Sequence, residues 1–517
     1  MSSWAVKIKK LLFAIASAAV IVFPVDGAKR PRYGGTLRVE MLSTSMTLDP
    51  RKWRPGSPSD AASEKVAAMV YDRLVSLDSH GRFQPQLATA WSHDEGFVRW
   101  QFALRSSVKF SDGTAMTAQD VVEVLQALLP AGQQVTAAGN VVTIQSTPPI
   151  PDLLEQLASD RFFIYRTDSG GTLIGTGPFF VAESVVATGG TAPSHYKFKA
   201  NESCWAGRPF VDAVNLILGV PPLRQLFDLE LGKVDLIEIT PDLARRAAKE
   251  NLRVWTSEPV TLYGLRFSEE QAPAADARLR EAMSVSLDRT TMANVLLQRQ
   301  ALPTATLLPQ WLSGYAFVLD MESDTEGKGA VRGQAHTLIS GAEPLRLRID
   351  AEGDLAKLLG ERVAVNARQA GIAVQVVNHT GLRSVSSATN KTASTADAAA
   401  GLHLFVWRYS SLSPRVDLES MVTALQPANA TQIEFSSSAT DLEALYAAER
   451  RSLQEHRILP LVVLPEFAGL GPNVRDWMPT KWGEWHLADV WLDRPESATA
   501  STEASASSQG VASGAKP

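Results

Sequence analysis

The order strand, helix, strand between residues 345 and 376 constrains the fold more than any other stretch of the sequence. Residues 345–349 alternate between apolar and polar, as in a strand with one buried face. Apolar residues recur at helical spacing over 355–363, Gly371 ends that helix, and a second alternating strand covers 372–376. A crossover of this kind joins parallel strands, so the sequence predicts an α/β fold.

A second unit has the order strand, turn, capped helix. Trp100, Phe102 and Leu104 lie on one face of a predicted strand, and an Asp-Gly turn follows it. Thr117 has an acid, Asp120, three positions later, which is the pattern of a helix N-terminus, and apolar residues continue at helical spacing to residue 128. The pattern predicts a helix packed on a small sheet.

Further elements are predicted from the same periodicities. The predicted helices cover 59–74, 152–157, 276–287, 288–297 and 440–455, and the predicted strands cover 36–39, 140–146, 402–406 and 459–464. Residues 170–177 are rich in glycine and threonine, but no Lys-Ser/Thr and no helix follows them. A phosphate-binding loop needs one or the other, so a structural turn is the better interpretation.

Bulk composition fits a globular protein of more than one lobe. The chain has 517 residues, with 45% apolar and 20% charged residues. That length exceeds what a single hydrophobic core usually holds, so two or three lobes are expected. Neither a multi-span membrane protein nor a disordered chain has this composition.

The N-terminus is typical of an export signal. Lys7, Lys9 and Lys10 precede an apolar run over 11–23, which is too short for the roughly 20 residues that span a bilayer. We expect a signal peptide over 1–27, cleaved after Gly27, and an uncleaved anchor is the alternative. Cleavage removes three lysines and one aspartate and changes the formal charge from −5 to −7. No basic patch suggests nucleic-acid binding.

Cysteine usage and the C-terminus complete the outline. Cys204 is the only cysteine, so internal disulfides are excluded, and the signal lacks the cysteine that carries a lipid anchor. An exported, soluble protein is expected, with Cys204 buried rather than reactive. Residues 379–399 are predicted to form a mobile loop, and 495–517 a disordered tail.

Several short motifs occur along the chain in a fixed order. The most specific one runs from residue 108 to residue 122. The others are 33–39 with Leu48-Asp49-Pro50, 70–75, 84–91, 175–179, 205–212, 232–235 and 276–289. Each motif is weak by itself, but in this order they resemble one family, the family 5 extracellular solute-binding proteins of bacterial dipeptide, oligopeptide and nickel ABC importers.

The resemblance implies a periplasmic-binding-protein type II fold, with two large α/β lobes around a cleft and a smaller inserted lobe. Lobe I would comprise 28–56, 170–265 and 476–494, lobe II 57–169, and lobe III 266–475. It also implies a monomer without a cofactor that closes over a small-molecule or peptide ligand and presents it to a permease in the inner membrane. The protein would then be periplasmic and non-enzymatic.

Candidate ligand contacts follow from the strand ends and from the resemblance. Trp407, Arg408 and Tyr409 come after a predicted strand, where an arginine between two aromatics suits a carboxylate-bearing solute. A core tryptophan and a solvated arginine are the structural alternative. The family's contacts fall on Ser43, Thr44 and Ser45 and on Tyr263, which are otherwise ordinary loop or hinge residues. Asp417 is either a ligand acid or the N-cap of a helix over 418–425.

The segment after Trp407 departs from the family. Peptide-binding members carry an aspartate there that pairs with the ligand's α-ammonium group, whereas this chain has Ser413-Pro414 where the resemblance places Asp-Pro. A buried ammonium without a carboxylate is unfavourable, so free peptides are disfavoured as ligands.

Other classes of function find less support. Ser106-Ser107-Val108-Lys109 matches a Ser-x-x-Lys hydrolase motif, but it stands in strand sequence rather than at a helix start. The eight histidines have no paired metal-ligand spacing, so no metal site is predicted. A nickel chelate held without protein ligands, and a sensor or scaffold built on the same fold, stay open.

Overall fold

The computed structural model describes residues 30–53, 60–78, 81–186, 193–268, 274, 276–314, 344–351, 353–377, 400–409, 413–425 and 442–493. The strands are β1 Thr36–Met41, β2 Val75–Leu77, β3 Phe83–Pro85, β4 Ala88–His93, β5 Arg99–Leu104, β6 Gln134–Ala138, β7 Val141–Gln145, β8 Arg166–Thr167, β9 Leu173–Ile174, β10 Phe179–Val185, β11 Ser194–Ala200, β12 Ala213–Leu218, β13 Leu236–Ile239, β14 Arg253–Phe267, β15 Leu302–Pro303, β16 Leu345–Ile349, β17 Val374–Val377, β18 Leu402–Arg408, β19 Ile458–Leu470, β20 Val474–Arg475 and β21 Trp491–Leu492.

Helices cover both halves of the chain. The α-helices are α1 Ala61–Ala67, α2 Ala118–Leu128, α3 Leu153–Leu157, α4 Pro222–Glu230, α5 Pro241–Lys249, α6 Ala277–Ser286, α7 Arg289–Thr291, α8 Gln310–Ser313, α9 Asp354–Gln369, α10 Pro414–Leu425 and α11 Leu442–Gln454. Single turns of 3₁₀ helix occur at Pro50–Lys52 and Asp160–Phe162, and Met292–Leu296 is a π-helix. The predicted signal peptide, the loop over 379–399 and the tail over 495–517 lie outside the described residues.

One large sheet organises the protein. Its strand order is β10, β11, β12, β1, β13, β19, β14, β18, β16, β17, and β15 pairs with β19. The first half of this sheet, from β10 to β13, contains the parallel pairs β1–β12 and β1–β13. The second half, from β18 to β17, contains the parallel pairs β16–β17 and β16–β18, so the predicted crossover is confirmed.

The long antiparallel strands β14 and β19 join the two halves. The end of β19 pairs with β13, and the end of β14 pairs with β18. Residues 458–464 of β19 are all buried, as expected for a strand covered on both faces. The strand predicted over 459–464 is therefore found, but it continues to Leu470.

A separate antiparallel sheet has the order β4, β5, β7, β6. Trp100, Phe102 and Leu104 of β5 are buried, as their alternation predicts. The helix α2 has the predicted capping box: Asp120 donates its backbone N–H to Thr117 Oγ1, and Thr117 N–H donates to Asp120 Oδ2 at 2.7 Å. We call this sheet with its helices the small unit.

The helix predicted over 59–74 is much shorter than the apolar spacing suggests. It ends at Ala67, and the carbonyl groups of Met69 and Val70 accept hydrogen bonds from Phe179 N–H at 2.7 Å and Gly177 N–H at 3.0 Å. These carbonyls bind a strand segment more than 100 positions away, so the prediction was wrong for a tertiary reason. The turn predicted over 170–177 is found in part, because residues 173–174 form β9 between bends of the chain. Gly175 allows a close approach, since a Cβ there would lie 2.0 Å from the Val70 carbonyl oxygen.

The hydrolase motif has the wrong geometry. Ser106 and Ser107 form a turn after β5, and Ser107 has a φ of 66°, so neither begins a helix. The motif's serine requires a helix start, with the lysine one turn later. Ser106 and Lys109 therefore lack that arrangement.

Candidate functional site

The loop after β1 contains three of the predicted contacts. Ser43 is half-buried and donates its hydroxyl to the Ser45 carbonyl at 2.8 Å, while Thr44 and Ser45 are exposed. The loop is anchored at Leu42, whose backbone N–H donates to Glu238 Oε2 at 2.7 Å. Because Glu238 lies on β13, the neighbour of β1, the anchor follows from the parallel pairing of the two strands.

Trp407, Arg408 and Tyr409 lie at the end of β18, where side chains alternate across the sheet. Trp407 and Tyr409 point into the hydrophobic core, and the Tyr409 hydroxyl donates to the Leu307 carbonyl. Arg408 points the other way and is also buried, with 4% of its side chain exposed. The structure therefore separates the two aromatic side chains from the arginine.

Arg408 has three internal acceptors. Its Nη1 donates to Glu64 Oε2 at 2.8 Å, its Nε to Glu466 Oε1 at 2.9 Å, and its Nη2 to the Trp482 carbonyl at 3.2 Å. Glu64 belongs to α1 and Glu466 to β19. A strand end of the second half of the large sheet is thus connected to α1, which precedes the small unit.

Lys65 continues this network towards the first half of the sheet. Its Nζ lies 2.5 Å from Glu238 Oε1 and 3.3 Å from Glu466 Oε2. Four of these side chains are buried and Glu466 is half-buried. We call the five, Glu64, Lys65, Glu238, Arg408 and Glu466, the ionic junction. It links the loop after β1 to the end of β18 through alternating charges.

The ionisation of the junction follows from its packing. Burial opposes the charge of Glu466, but Arg408 and Lys65 outweigh it and lower the pKa of that carboxyl group. Burial likewise opposes the charge of Lys65, but Glu238 and Glu466 raise the pKa of its ammonium group. Burial raises the pKa of Glu64 against the attraction of Arg408. The junction thus stabilises the charged forms of Lys65 and Glu466 in a poorly solvated place, while burial disfavours the charge of Glu64.

A second buried pair lies beside the junction. Arg73 Nη2 is 2.5 Å from Glu484 Oε1, and the Arg73 guanidinium lies 4.8 Å from the Phe163 ring centroid. Burial opposes the charge of Glu484, while Arg73 lowers the pKa of that carboxyl group. This pair connects the segment between α1 and β2 to the segment before β21.

Tyr263 and Asp417 occupy different surroundings. Tyr263 is a half-buried residue of β14 opposite Val406 of β18, and burial raises the pKa of its hydroxyl group to about 12. Asp417 is buried in the first turn of α10, where its charge contributes to raising the pKa of Tyr409, after burial itself. Ser413 rather than Asp417 caps the helix, since its Oγ accepts the Val416 N–H at 3.3 Å. The N-cap alternative for Asp417 was wrong because α10 begins four residues earlier than 418.

Sequence reasoning missed most of the junction. Glu64 and Arg408 are 344 positions apart, and no pattern in the sequence around either residue points to the other. The ion pair at 2.9 Å between buried Asp152 and half-buried Arg415 was missed for the same reason. Long-range pairs between single charges leave no local pattern.

Metal and thiol chemistry have no support in the described ranges. These residues contain no group of three or more His, Cys, Asp or Glu side chains that could hold a metal ion. Cys204 is buried, as predicted, and burial raises the pKa of its thiol to about 11. Among the same residues no helix is both long and apolar enough to cross a membrane.

The sequence profile of the bacterial extracellular solute-binding proteins, family 5, middle region, matches residues 82–424. This chain belongs to the family 5 solute-binding proteins. The resemblance inferred from the motifs is thereby confirmed, and the match includes the segment from β4 to α10 that carries Arg408 and Asp417.

Two curated family 5 relatives come from Escherichia coli strain K12. The nickel-binding periplasmic protein is 23% identical over 350 residues, covering 60% of this chain and 66% of the relative. The periplasmic murein peptide-binding protein MppA is 24% identical over 351 residues, covering 58% of this chain and 63% of the relative. The alignments span less than two thirds of either relative. Both relatives are named as binding proteins, not as enzymes.

Solved structures establish the fold. The Escherichia coli murein tripeptide binding protein MppA matches with a TM-score of 0.71 at 20% identity, covering 88% of this chain and 98% of that one. An unliganded open form of MppA matches with a TM-score of 0.59 at 19% identity, covering 88% and 97%. The predicted fold class, a periplasmic-binding-protein type II fold, is confirmed. The arrangement of this chain is less similar to the open form than to the other MppA structure.

Proposed function

We propose that this protein is the extracytoplasmic substrate-binding component of an ABC importer. It captures a peptide-like or other small organic solute by cleft closure and delivers it to a permease in the inner membrane. In this proposal the signal over 1–27 directs export, the mature protein is a soluble periplasmic monomer, and no cofactor takes part. The lobe ranges are those proposed from the sequence: lobe I 28–56, 170–265 and 476–494, lobe II 57–169, and lobe III 266–475.

The observation that carries the proposal is the ionic junction. Its members come from α1, β13, β18 and β19, so each proposed lobe contributes at least one charge. We infer that this network forms when the lobes approach and becomes exposed to water when they separate. Such a two-state contact is the physical requirement for a binding protein that closes over its ligand. The lower similarity to the open form of MppA supports the same interpretation.

The proposed ligand contacts divide by environment. The exposed hydroxyl groups of Thr44 and Ser45, with half-buried Ser43 and Tyr263, offer polar contacts at the cleft. Arg408 already has three acceptors from the chain, so we propose that it positions the lobes and that Trp407 and Tyr409 support it from the core. Asp417 is buried, and we propose that it acts on the site only through the effect of its charge on Tyr409.

A nickel chelate is the second candidate, because one of the relatives is named a nickel-binding protein. A chelate brings its own metal ligands, so it is compatible with the described residues, which contain no cluster of metal-binding side chains. The third candidate is a sensor or scaffold protein that has no transported solute.

Thermal shift measurements distinguish these candidates. Purified mature protein is screened against free di- and tripeptides, their N-acetylated forms, nickel-histidine complexes and sugars. A shift with an organic solute supports the proposal, and a shift only with the nickel complexes supports the second candidate. If none of these compounds shifts the thermal midpoint, the sensor or scaffold is favoured. Because turnover of any hit would indicate an enzyme, each hit is also incubated and analysed by mass spectrometry.

A further inference from the structure

Asp152 joins the small unit to the second half of the large sheet through a single carboxylate. It precedes α3 of the small unit, whereas its main partners, Ser413 and Arg415, stand at the start of α10. The carboxylate accepts Ser413 Oγ at 2.7 Å, Arg415 Nε at 3.1 Å and Arg415 Nη2 at 2.9 Å. Only 3% of the Asp152 side chain and 21% of the Arg415 side chain are exposed.

This carboxylate is built as a receptor for a cation. Arg415 Nη2 also contacts Asp152 Oδ1 at 3.1 Å, so the guanidinium group engages both oxygens. Gln156 Nε2 donates to Oδ1 at 3.0 Å and Ser413 Oγ to Oδ2, and these neutral donors hold the carboxylate in one orientation. A buried carboxylate requires a positive partner, and here the chain supplies it.

The surroundings add to the negative potential. Glu419, one turn further along α10, accepts Arg415 Nη1 at 3.1 Å and is half-exposed. Glu155, one turn into α3, is close enough to Asp152 that burial, followed by the Asp152 charge, raises the pKa of its carboxyl group. Removing the guanidinium group would therefore leave the carboxylates of Asp152 and Glu419 without the cation that they share.

The site lies between two of the proposed lobes, because Asp152 belongs to lobe II and Ser413 and Arg415 belong to lobe III. Ser413 and Arg415 follow the end of β18 by only a few residues, and Asp152 reaches them from the small unit. We propose that Asp152 is a cation-binding site that the protein fills with its own Arg415. Arg415 is thus a specificity-determining residue, which keeps ligand ammonium and guanidinium groups out of this part of the cleft. This inference rests on the proposed function, since it assumes that solutes enter between the lobes.

Chemical rescue tests the inference. The variant Arg415→Ala is titrated with ethylguanidinium by calorimetry, beside the wild type and the double variant Arg415→Ala/Asp152→Asn. We expect the single variant to bind ethylguanidinium roughly tenfold more tightly than the wild type, and the double variant to lose that gain. The variant Arg82→Ala, which removes an exposed arginine from its ion pair with half-buried Asp78, is the matched control and should show no gain.

Peptides test the selectivity directly. Free dipeptides should stabilise Arg415→Ala more than they stabilise the wild type, whereas N-acetylated dipeptides should show no such difference. Equal binding of ethylguanidinium by the wild type and Arg415→Ala, or an undiminished gain in the double variant, would overturn the inference. If Arg415→Ala does not fold, Arg415→Gln provides the same comparison. Ethylguanidinium binding tests the Asp152 carboxylate directly and does not depend on which solute the protein binds naturally. A negative result in this titration therefore contradicts the inference about Asp152 without contradicting the proposed function.

Discussion

Replacing Arg408 by methionine removes the central cation of the ionic junction while keeping most of the side-chain volume. Glu64 and Glu466 then lose hydrogen bonds of 2.8 and 2.9 Å in a place where Arg408 itself is only 4% exposed. Removing one partner of a buried pair costs about 3–5 kcal/mol, because the remaining charge stays unpaired. At about 2 °C per kcal/mol for a large domain, the thermal midpoint should fall by about 6–10 °C.

The stability difference between Arg408→Met and the wild type should also depend on pH, in a direction that follows from the pKa shifts. In the wild type, Arg408 and Lys65 hold the pKa of Glu466 below its usual value against the effect of burial, so its contribution is present at neutral pH and is lost as pH falls through that lowered pKa. In Arg408→Met the pKa of Glu64, already raised by burial, rises further, and the pKa of Glu466, which keeps only Lys65 as a cationic partner, rises as well, so both carboxylates take up protons on mild acidification. The difference in midpoint between variant and wild type should therefore shrink between pH 7 and pH 5.

The assay is thermal unfolding followed by circular dichroism at both pH values. The variant Arg82→Met is the control, because Arg82 also pairs with a carboxylate but is 73% exposed. Its stability should change by less than about 1 kcal/mol. The reasoning is refuted if Arg408→Met loses no more stability than this control, or if its deficit grows on acidification.

Three further predictions concern single residues. Gly177→Ala should destabilise the protein by about 1–3 kcal/mol or more in the same unfolding assay, since the new Cβ would lie 2.6 Å from the Val70 carbonyl carbon. The control Gly96→Ala should be tolerated, because the nearest contact of its Cβ is at 3.9 Å. Thr117→Ala should lower the stability by about 1 kcal/mol through loss of the α2 cap, and Thr117→Ser should retain it; equal effects would contradict the cap. Cys204, whose thiol pKa is raised to about 11 by burial, should react with a disulfide reagent at pH 8 far more slowly in native protein than in denatured protein, and equal rates would contradict its burial.

Local patterns in the sequence determined much of the fold. The capping box at Thr117 and the crossover from β16 to β17 each depend on residues close together in the chain, so periodicity and cap chemistry are sufficient to predict them. The helix after residue 59 is different, because its end at Ala67 depends on hydrogen bonds to Gly177 and Phe179. The spacing of apolar residues cannot show that backbone N–H groups from a distant segment will bind the carbonyl groups of this one.

The candidate site was predictable only in part. The strand end at Arg408 was identified because cleft residues follow strand ends in α/β sheets. The acceptors of Arg408 were not identified, since the sequence around Glu64 and Glu466 contains no pattern that predicts an ion pair. The burial of Trp407 and Tyr409 follows from the alternation of β18, which places neighbours of Arg408 on the opposite face from it.

Native mass spectrometry tests the central claim most directly, namely that this family 5 protein captures a solute between its lobes. Protein exported and purified from cells under mild conditions is sprayed intact, and any released small molecule is fragmented. The account predicts a one-to-one complex with an organic solute that lacks a free ammonium group. Protein that is uniformly free of solute, including after incubation with cell extract, would contradict solute capture. A retained peptide with a free amino terminus would contradict the selectivity inferred from Ser413 and Arg415.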